Sequence, residues 1–457
     1  MSAARTLPNG PLLTFYGDDF TGSSAVMEVT AFAGLPTVLF LNPPTPEQLA
    51  QFADRRVIGI AGIARSQSPD WMDRNLPPVF ELLRSLGAPI VHYKVCSTFD
   101  SAPHVGSIGR AIDIGAPILG GSWKPVVVGD PGMGRYQAFG YLFAVANGVG
   151  YPLNEHPVMA RHPITPMDDA NLGRHLEKQT TKTIGLIDFV AMKKGEADAR
   201  LASALSAGTE IVFLDVLDRE TFAEAGRLIW ENRGERLFGI GSQGFEAALV
   251  AYWRSAGLIP AEPEVFRAPP ASRIACVSGS VSPITAAQIA FAVEQGFAPI
   301  PVDARQAIDP AAWERERGRA VERALAALGE GRDPLVYSAA GPDDPAVQAL
   351  RTAVAAAKVS LETVNDRIGA GLGHILNDVL RESRLTRAVI SGGDSSSHAA
   401  SVLGVYALTA VAPIAPGSPL CRAHASDPVL AGLEIALKGG QVGRPDFFYA
   451  VKEGGTA

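Results

Sequence analysis

Short apolar runs broken by glycine and small polar residues recur along the chain, and stretches with helical spacing fill most of the intervals. Runs at residues 12–16, 37–41, 57–60, 90–93, 125–128, 211–214 and 237–240 read as buried strands. Residues 25–33 read as a helix stopped at Gly34. A proline-rich stretch then interrupts the alternation, with Pro260, Pro263, Pro269 and Pro270 inside eleven residues. Proline fixes φ and removes a backbone donor, so this stretch resists helix and sheet alike and predicts a boundary. A second strand–helix series follows through residues 273–277, 335–338 and 388–390, with a helix expected at 398–403. Alternating strands and helices predict an α/β fold: two domains, residues 1–262 and 271–457, each a mostly parallel sheet flanked by helices, with an active-site cleft between the domains.

Two of the breaks carry chemistry. Residues 12–16 run into Gly17-Asp18-Asp19-Phe20-Thr21-Gly22. Paired carboxylates at a strand end can hold sugar hydroxyls, bind Mg²⁺ or act as a general base, and the same residue types also cap a helix. Residues 388–390 run into Ser391-Gly392-Gly393-Asp394-Ser395-Ser396-Ser397. Glycines and hydroxyls at that point leave backbone N–H groups open to a phosphate, although a plain glycine-rich turn has the same composition.

Between them, His92-Tyr93-Lys94-Val95-Cys96-Ser97-Thr98-Phe99-Asp100-Ser101 packs a cation, hydroxyls and a carboxylate into one loop. A polyhydroxy acid needs such groups: Asp and hydroxyls for its OH groups, Lys or Arg for its carboxylate. Arg65 follows an earlier strand and supplies a second cation, or is an ordinary surface arginine. In the second half, Ser278-Gly279-Ser280-Val281-Ser282-Pro283 could place Ser278 or Ser280 on a phosphate, while Ser282 and Pro283 read as a helix cap. Lys438-Gly439-Gly440-Gln441-Val442-Gly443 permits close approach to a ligand, and Gly439 also suits a helix C-cap.

Composition narrows the classes. The chain has 457 residues, 47% of them hydrophobic, which suits a globular protein of two or three domains. A net charge of −7 argues against a nucleic-acid surface, and no apolar run reaches the length of a membrane span. The N-terminus shows no signal-peptide core, and three widely separated cysteines suit reduced thiols, so the cytoplasm is expected. There is no Walker loop, no dinucleotide fingerprint and no metal-ligand spacing of histidines, so the metal ligands stay unknown and an NAD-dependent dehydrogenase is disfavoured.

Taken in order, Gly17-Asp18-Asp19-Phe20-Thr21-Gly22, the 94–100 segment, Ser278–Pro283, Ser391–Ser396, Ile414-Ala415-Pro416-Gly417-Ser418-Pro419 and Lys438-Gly439-Gly440 resemble the four-carbon acid sugar kinases over nearly the whole chain. The loop Lys94-Val95-Cys96-Ser97-Thr98-Phe99-Asp100 is similar to the 3-oxo-tetronate kinase branch; threonate and erythronate kinases usually carry Asp and Arg where Cys96 and Asp100 stand. The resemblance implies an N-terminal acid-sugar domain and a C-terminal ATP domain. It places Asp19, Arg65, Ser97, Thr98, Phe99 and Asp100 on the acceptor; the chemistry of the residues adds Lys94 or Arg65 as the expected partner of the acid's carboxylate, and Asp19, then Asp18, as the residue expected to orient or deprotonate its hydroxyl. It places Ser278, Ser280, Gly392, Gly393, Asp394, Ser395, Ser396, Gly440 and Gly443 on ATP, with Mg²⁺ as counter-cation. The expected substrate is a 3-oxo-tetronate-type acid, with a branched acid such as 3-oxo-isoapionate, or threonate and erythronate, as alternatives. A non-catalytic binder of nucleotide or sugar acid is the competing class. Self-association is left open.

Overall fold

The computed structural model describes residues 6–146, 148–261 and 266–455, apart from the side chains of residues 394–397. The chain divides into two compact units, residues 1–264 and 265–457. Glu262 and Pro263 of the proline-rich stretch lie outside the described residues.

The first unit is built on eight parallel strands: β1 (Leu13–Gly17), β2 (Thr37–Phe40), β3 (Val57–Ala61), β4 (Ile90–Lys94), β5 (Lys124–Val127), β9 (Ile184–Ile187), β10 (Ile211–Leu214) and β11 (Leu237–Gly241). Their order across the sheet is β2-β3-β1-β4-β11-β5-β10-β9. The central strands are buried along their whole length, which is why each reads as a continuous apolar run instead of an alternation. Register aligns Gly17, Ala61, Lys94 and Gly241 at one level, so the loops after four adjacent strands leave from the same edge. A separate antiparallel ribbon of β6 (Arg135–Ala138), β7 (Tyr141–Ala146) and β8 (Val149–Pro152) follows β5.

The second unit places β12 (Ala275–Ser278), β13 (Ala298–Pro301), β14 (Pro334–Tyr337), β15 (Arg387–Ser391), β16 (Val405–Ala415), β17 (Ser418–Ala425) and β18 (Glu434–Lys438) in the order β13-β14-β12-β15-β18-β17-β16. The first five of that order are parallel; β17 and β16 form an antiparallel hairpin at the edge. Phe447, Phe448 and Val451 from the last helix close one face over Cys276, Ile289, Leu335 and Val389.

Three boundaries differ from the sequence reading. The first helix spans Phe20–Ala31, not 25–33, and Asp19 is its N-cap. The helix after β15 begins at Gly393 rather than 398, so the Gly-Asp-Ser-Ser run forms its first turns. Gly439 follows a strand, which removes the helix C-cap reading. Ser282 caps the helix Pro283–Glu294 with proline at its first position, as expected. Cys276 and Cys421 are buried, and Cys96 is half-buried. Among the described residues no helix is long and apolar enough to cross a membrane.

Candidate active site

In the first unit the helix after β1 packs with the helix Gly244–Ser255, whereas the helix after β4 (Ile108–Leu119) packs with Pro69–Ser85. Adjacent strands β1 and β4 therefore send their helices to opposite faces. Such a reversal opens a crevice at the carboxyl ends of the strands, where open α/β sheets bind ligands. Asp18 and Asp19 lie on one side of this crevice and residues 95–100 on the other.

The two carboxylates have different surroundings. Asp18 is buried, and Arg65 holds both of its oxygens: Nη2 donates to Oδ1 (2.6 Å) and Nε to Oδ2 (3.2 Å). Burial raises the Asp18 carboxyl above its ordinary range, and the Arg65 charge opposes that rise. Asp19 is more open. Its Oδ1 accepts from the Gly22 N–H (3.0 Å) and from Arg65 Nη2 (2.8 Å). Among the described residues its Oδ2 has no partner. Arg65 is thus tied to two acids, and its backbone N–H also donates to the Asp18 carbonyl (3.0 Å).

Lys94, buried at the end of β4, donates from Nζ to the Val95 carbonyl and lies against Gly22. Along the loop, Thr98 Oγ1 donates to Asp100 Oδ1 (2.6 Å), and Cys96 Sγ lies 3.0 Å from Thr98 Oγ1. Burial pushes the Cys96 thiol up to about 11, so it stays neutral. Ser97 is half-buried. Phe99 is the exception among the expected acceptor residues. Its ring is fully buried against Phe213 and His175, and its φ of 57° lies in the left-handed region. Phe99 therefore shapes the loop, its backbone bonded to Cys96 and Ser101 within it.

The second unit repeats the arrangement. The helix after β12 packs with Phe447–Glu453, and the helix after β15 packs with Leu361–Ser383, so neighbouring β12 and β15 again diverge to opposite faces. Ser278 and Ser391 end these strands in register. Both hydroxyls are buried and, among the described residues, lack a hydrogen-bond partner. An orphaned pair of hydroxyls at a strand-end crevice is what an oxyanion ligand would satisfy. Gly392 next to them has φ 130° and ψ 138°, a conformation open to glycine, and its N–H donates to the Lys438 carbonyl (2.9 Å). Gly393 is exposed at the start of the helix; the side chains of Asp394, Ser395 and Ser396 lie outside the described residues.

Around Gly440 the packing is close. A Cβ there would lie 2.6 Å from Ser280 Oγ, and the Gly440 carbonyl accepts from Ser282 Oγ and from Thr285 Oγ1 (3.1 Å). Thr285 Oγ1 also lies 3.0 Å from Ser280 Oγ, which can donate to it, and accepts from Lys438 Nζ (3.2 Å). Gly443 sits beside Gln288, whose amide donates to the Val442 and Arg444 carbonyls (2.9 and 3.0 Å). Among the described residues no group of three or more His, Cys, Asp or Glu could hold a metal ion.

A family of sugar-binding N-terminal domains matches residues 13–249, and a family of nucleotide-binding C-terminal domains matches residues 275–448. A 3-oxo-isoapionate kinase of Paraburkholderia graminis is 48% identical over 454 residues, covering 99% of this chain and 97% of that protein. The chain belongs to the four-carbon acid sugar kinase family. A 3-oxo-tetronate kinase of Cupriavidus necator is 31% identical over 451 residues, 97% of each chain. A solved Haemophilus influenzae protein, 25% identical, superposes over 96% of this chain and 99% of its own with a TM-score of 0.76.

For a four-carbon acid sugar kinase, two cations stand out that sequence reasoning did not single out. Lys438 is buried and lies 5.7 Å from the Phe447 ring centroid; burial lowers its ammonium to about 8. Its only sequence signal is a cation before Gly-Gly, because the burial comes from the sheet. Arg135 stands at the start of β6, a half-buried strand that is not itself an apolar run.

Proposed function

We propose that this chain is an ATP-dependent kinase that phosphorylates the terminal hydroxyl of a small 3-oxo sugar acid. The observation that carries the reading is the Asp19 carboxylate: one oxygen fixed by a backbone N–H and a guanidinium, the other open at the crevice between β1 and β4. A carboxylate so held can take a proton from an acceptor hydroxyl without losing its orientation. Asp18, with both oxygens on Arg65, positions the guanidinium and not the substrate. Ser97, Thr98 and Asp100 offer groups for the acid's hydroxyls, and Lys94 adds positive charge beside them.

The proposed sugar-acid domain is residues 1–262 and the nucleotide domain is residues 271–457. ATP supplies the phosphoryl group, and Ser278, Ser280, Gly392, Gly393, Gly440 and Gly443 would hold it, with Asp394, Ser395 and Ser396 completing the loop. Orphaned hydroxyls and close glycine packing suit phosphate oxygens. Mg²⁺ would enter with the nucleotide as its counter-cation. Dependence on ATP supports a cytoplasmic location as part of this reading. Greater identity to the 3-oxo-isoapionate kinase than to the 3-oxo-tetronate kinase favours the branched acid as acceptor, with 3-oxo-tetronate second.

An ADP-release assay with Mg-ATP tests the reading across D- and L-threonate, D- and L-erythronate, their 3-oxo forms and 3-oxo-isoapionate. Turnover on a 3-oxo acid is expected. Silence across the panel with nucleotide binding intact would favour a non-catalytic binder.

Lys438 gives the nucleotide side its own test. Its ammonium is the form that attracts phosphate, so the KM for ATP should rise as pH climbs through about 8. Lys438→Met should have a raised KM that stays flat over the same range. A wild-type KM for ATP independent of pH from 7 to 9 would remove Lys438 from that role. Stability should move the opposite way: above about 8 the folded chain has released a proton that the unfolded lysine still holds, so unfolding free energy rises with pH up to the ordinary lysine range.

A further inference from the structure

Of the two cations expected to bind the acceptor's carboxylate, one is held by acids and the other presents an ammonium with no planar edge for bidentate binding. Arg65 serves Asp18 and Asp19. Lys94 Nζ points to the Val95 carbonyl beside Gly22. Among the described residues, a guanidinium with open donors that acts on Cys96 and Asp100 of the loop after β4 is Arg135, at the first residue of the antiparallel ribbon.

Arg135 is placed firmly. Its backbone exchanges two hydrogen bonds with Asp130 at the end of β5, N–H to carbonyl in each direction (3.0 and 2.9 Å). The Asp130 carboxylate acts on Arg135 only through space: no ion pair joins them, and its oxygens are turned elsewhere, Oδ1 accepting from the Gly132 N–H (3.1 Å) and Oδ2 from Gln243 Nε2 (3.0 Å). Nη1 of Arg135 makes three long contacts with the carbonyls of Met133, Gly134 and Val145, at 3.3, 3.3 and 3.5 Å. Its Nε is buried and has no hydrogen-bond partner, and among the described residues Nη2 has none. Nε and Nη2 form the side edge of the guanidinium, the edge that takes a carboxylate with two parallel hydrogen bonds.

Across from it stands a matching deficit. Arg135 lies within electrostatic reach of Cys96, Asp130 and Asp100, yet among the described residues it forms an ion pair with neither aspartate. Asp100 is itself buried, and Thr98 Oγ1 is its one hydrogen-bond partner among the described residues. A half-buried cation with a buried, unpaired Nε and a buried anion held apart from it cost free energy unless something between them satisfies both.

We propose that Arg135 and Asp100 read the acceptor together: Arg135 binds its carboxylate through the Nε–Nη2 edge, and Asp100 accepts from one of its hydroxyls. This rests on the sugar-acid kinase reading and deepens it. The pair selects a short acid bearing a carboxylate and a hydroxyl a few bonds apart, and it sets KM for that acid while Asp19 does the chemistry.

The test is steady-state kinetics of Arg135→Met, Arg135→Lys and Asp100→Asn with Mg-ATP and whichever panel acid the wild type turns over. Arg135→Met should raise KM for the acid about 10- to 100-fold, the scale of a charge-assisted hydrogen bond, with kcat and KM for ATP within about two-fold. Arg135→Lys should recover part of the loss, and Asp100→Asn should also raise KM for the acid. An unchanged KM for the acid in Arg135→Met, or a rise confined to ATP, overturns the proposal. If the wild type phosphorylates none of the acids, the kinase reading has failed separately. Calorimetry with D-erythronate and 3-oxo-isoapionate then decides the matter: weaker binding by Arg135→Met supports the proposal, while equal affinity, or binding by neither protein, overturns it.

Discussion

Arg65→Met should inactivate the enzyme and destabilise its first domain together. The guanidinium is the common partner of Asp18 and Asp19, and Asp18 is buried beneath it. Removing one member of a buried ion pair strands the other, at about 3–5 kcal/mol; the lower figure is expected here because the Arg65 side chain is a quarter exposed. The loss in turnover comes from Asp19, which would be held by Gly22 alone. A misplacement of about 1 Å in a reacting group costs about 10²-fold. Thermal unfolding and turnover, measured side by side, separate the two effects. Adding Asp18→Asn to Arg65→Met replaces the stranded anion with a neutral amide, so the double variant should recover stability and stay inactive. A single variant within a few-fold of wild-type activity would show that Arg65 does not organise the site.

Asp19→Asn isolates the chemistry. Asparagine caps a helix as well as aspartate does, so the bond from the Gly22 N–H and the start of the helix Phe20–Ala31 should survive. What is lost is an oxygen able to accept the hydroxyl's proton. Turnover should fall by about 10²-fold or more, the scale of general-base catalysis, with little change in melting temperature. Asp19→Ala is a poorer probe because it also removes the cap, at about 1 kcal/mol. If Asp19→Asn turns over within a few-fold of wild type, the proton is taken elsewhere and Asp19 is an N-cap only.

Much of this site was legible in the sequence for one physical reason. A strand buried on both faces is a plain apolar run, so the polar residues that end it stand out at the edge where parallel sheets bind ligands. Asp18, Asp19, Lys94, Ser278 and Gly392 were all visible that way. What each does was not. Adjacent aspartates look alike in sequence; their division into a buried anchor and an open acceptor follows from Arg65, which approaches from the loop after β3. The first turns of the helix after β15 read as loop because Gly, Asp and Ser have weak helix propensity, and packing against Leu361–Ser383 overrides it. Phe99 looked like a member of a binding loop, yet a left-handed backbone turn sends its ring into the core. Arg135 gave no signal, since its own strand β6 reads Arg-Tyr-Gln-Ala, with no apolar run whose polar end could stand out.

The cysteines have a practical consequence. Burial keeps the Cys96 thiol protonated at neutral pH and lifts Cys276 well above its usual value, while Cys421 is shielded from solvent. Thiol reagents attack the thiolate and need access, so the native chain is close to inert toward maleimides and mild oxidants. A cysteine introduced at an exposed position would react alone. Site-specific fluorophores or spin labels can therefore be attached without first deleting the natural thiols, which leaves the loop around Cys96 in its native form while its motions are followed.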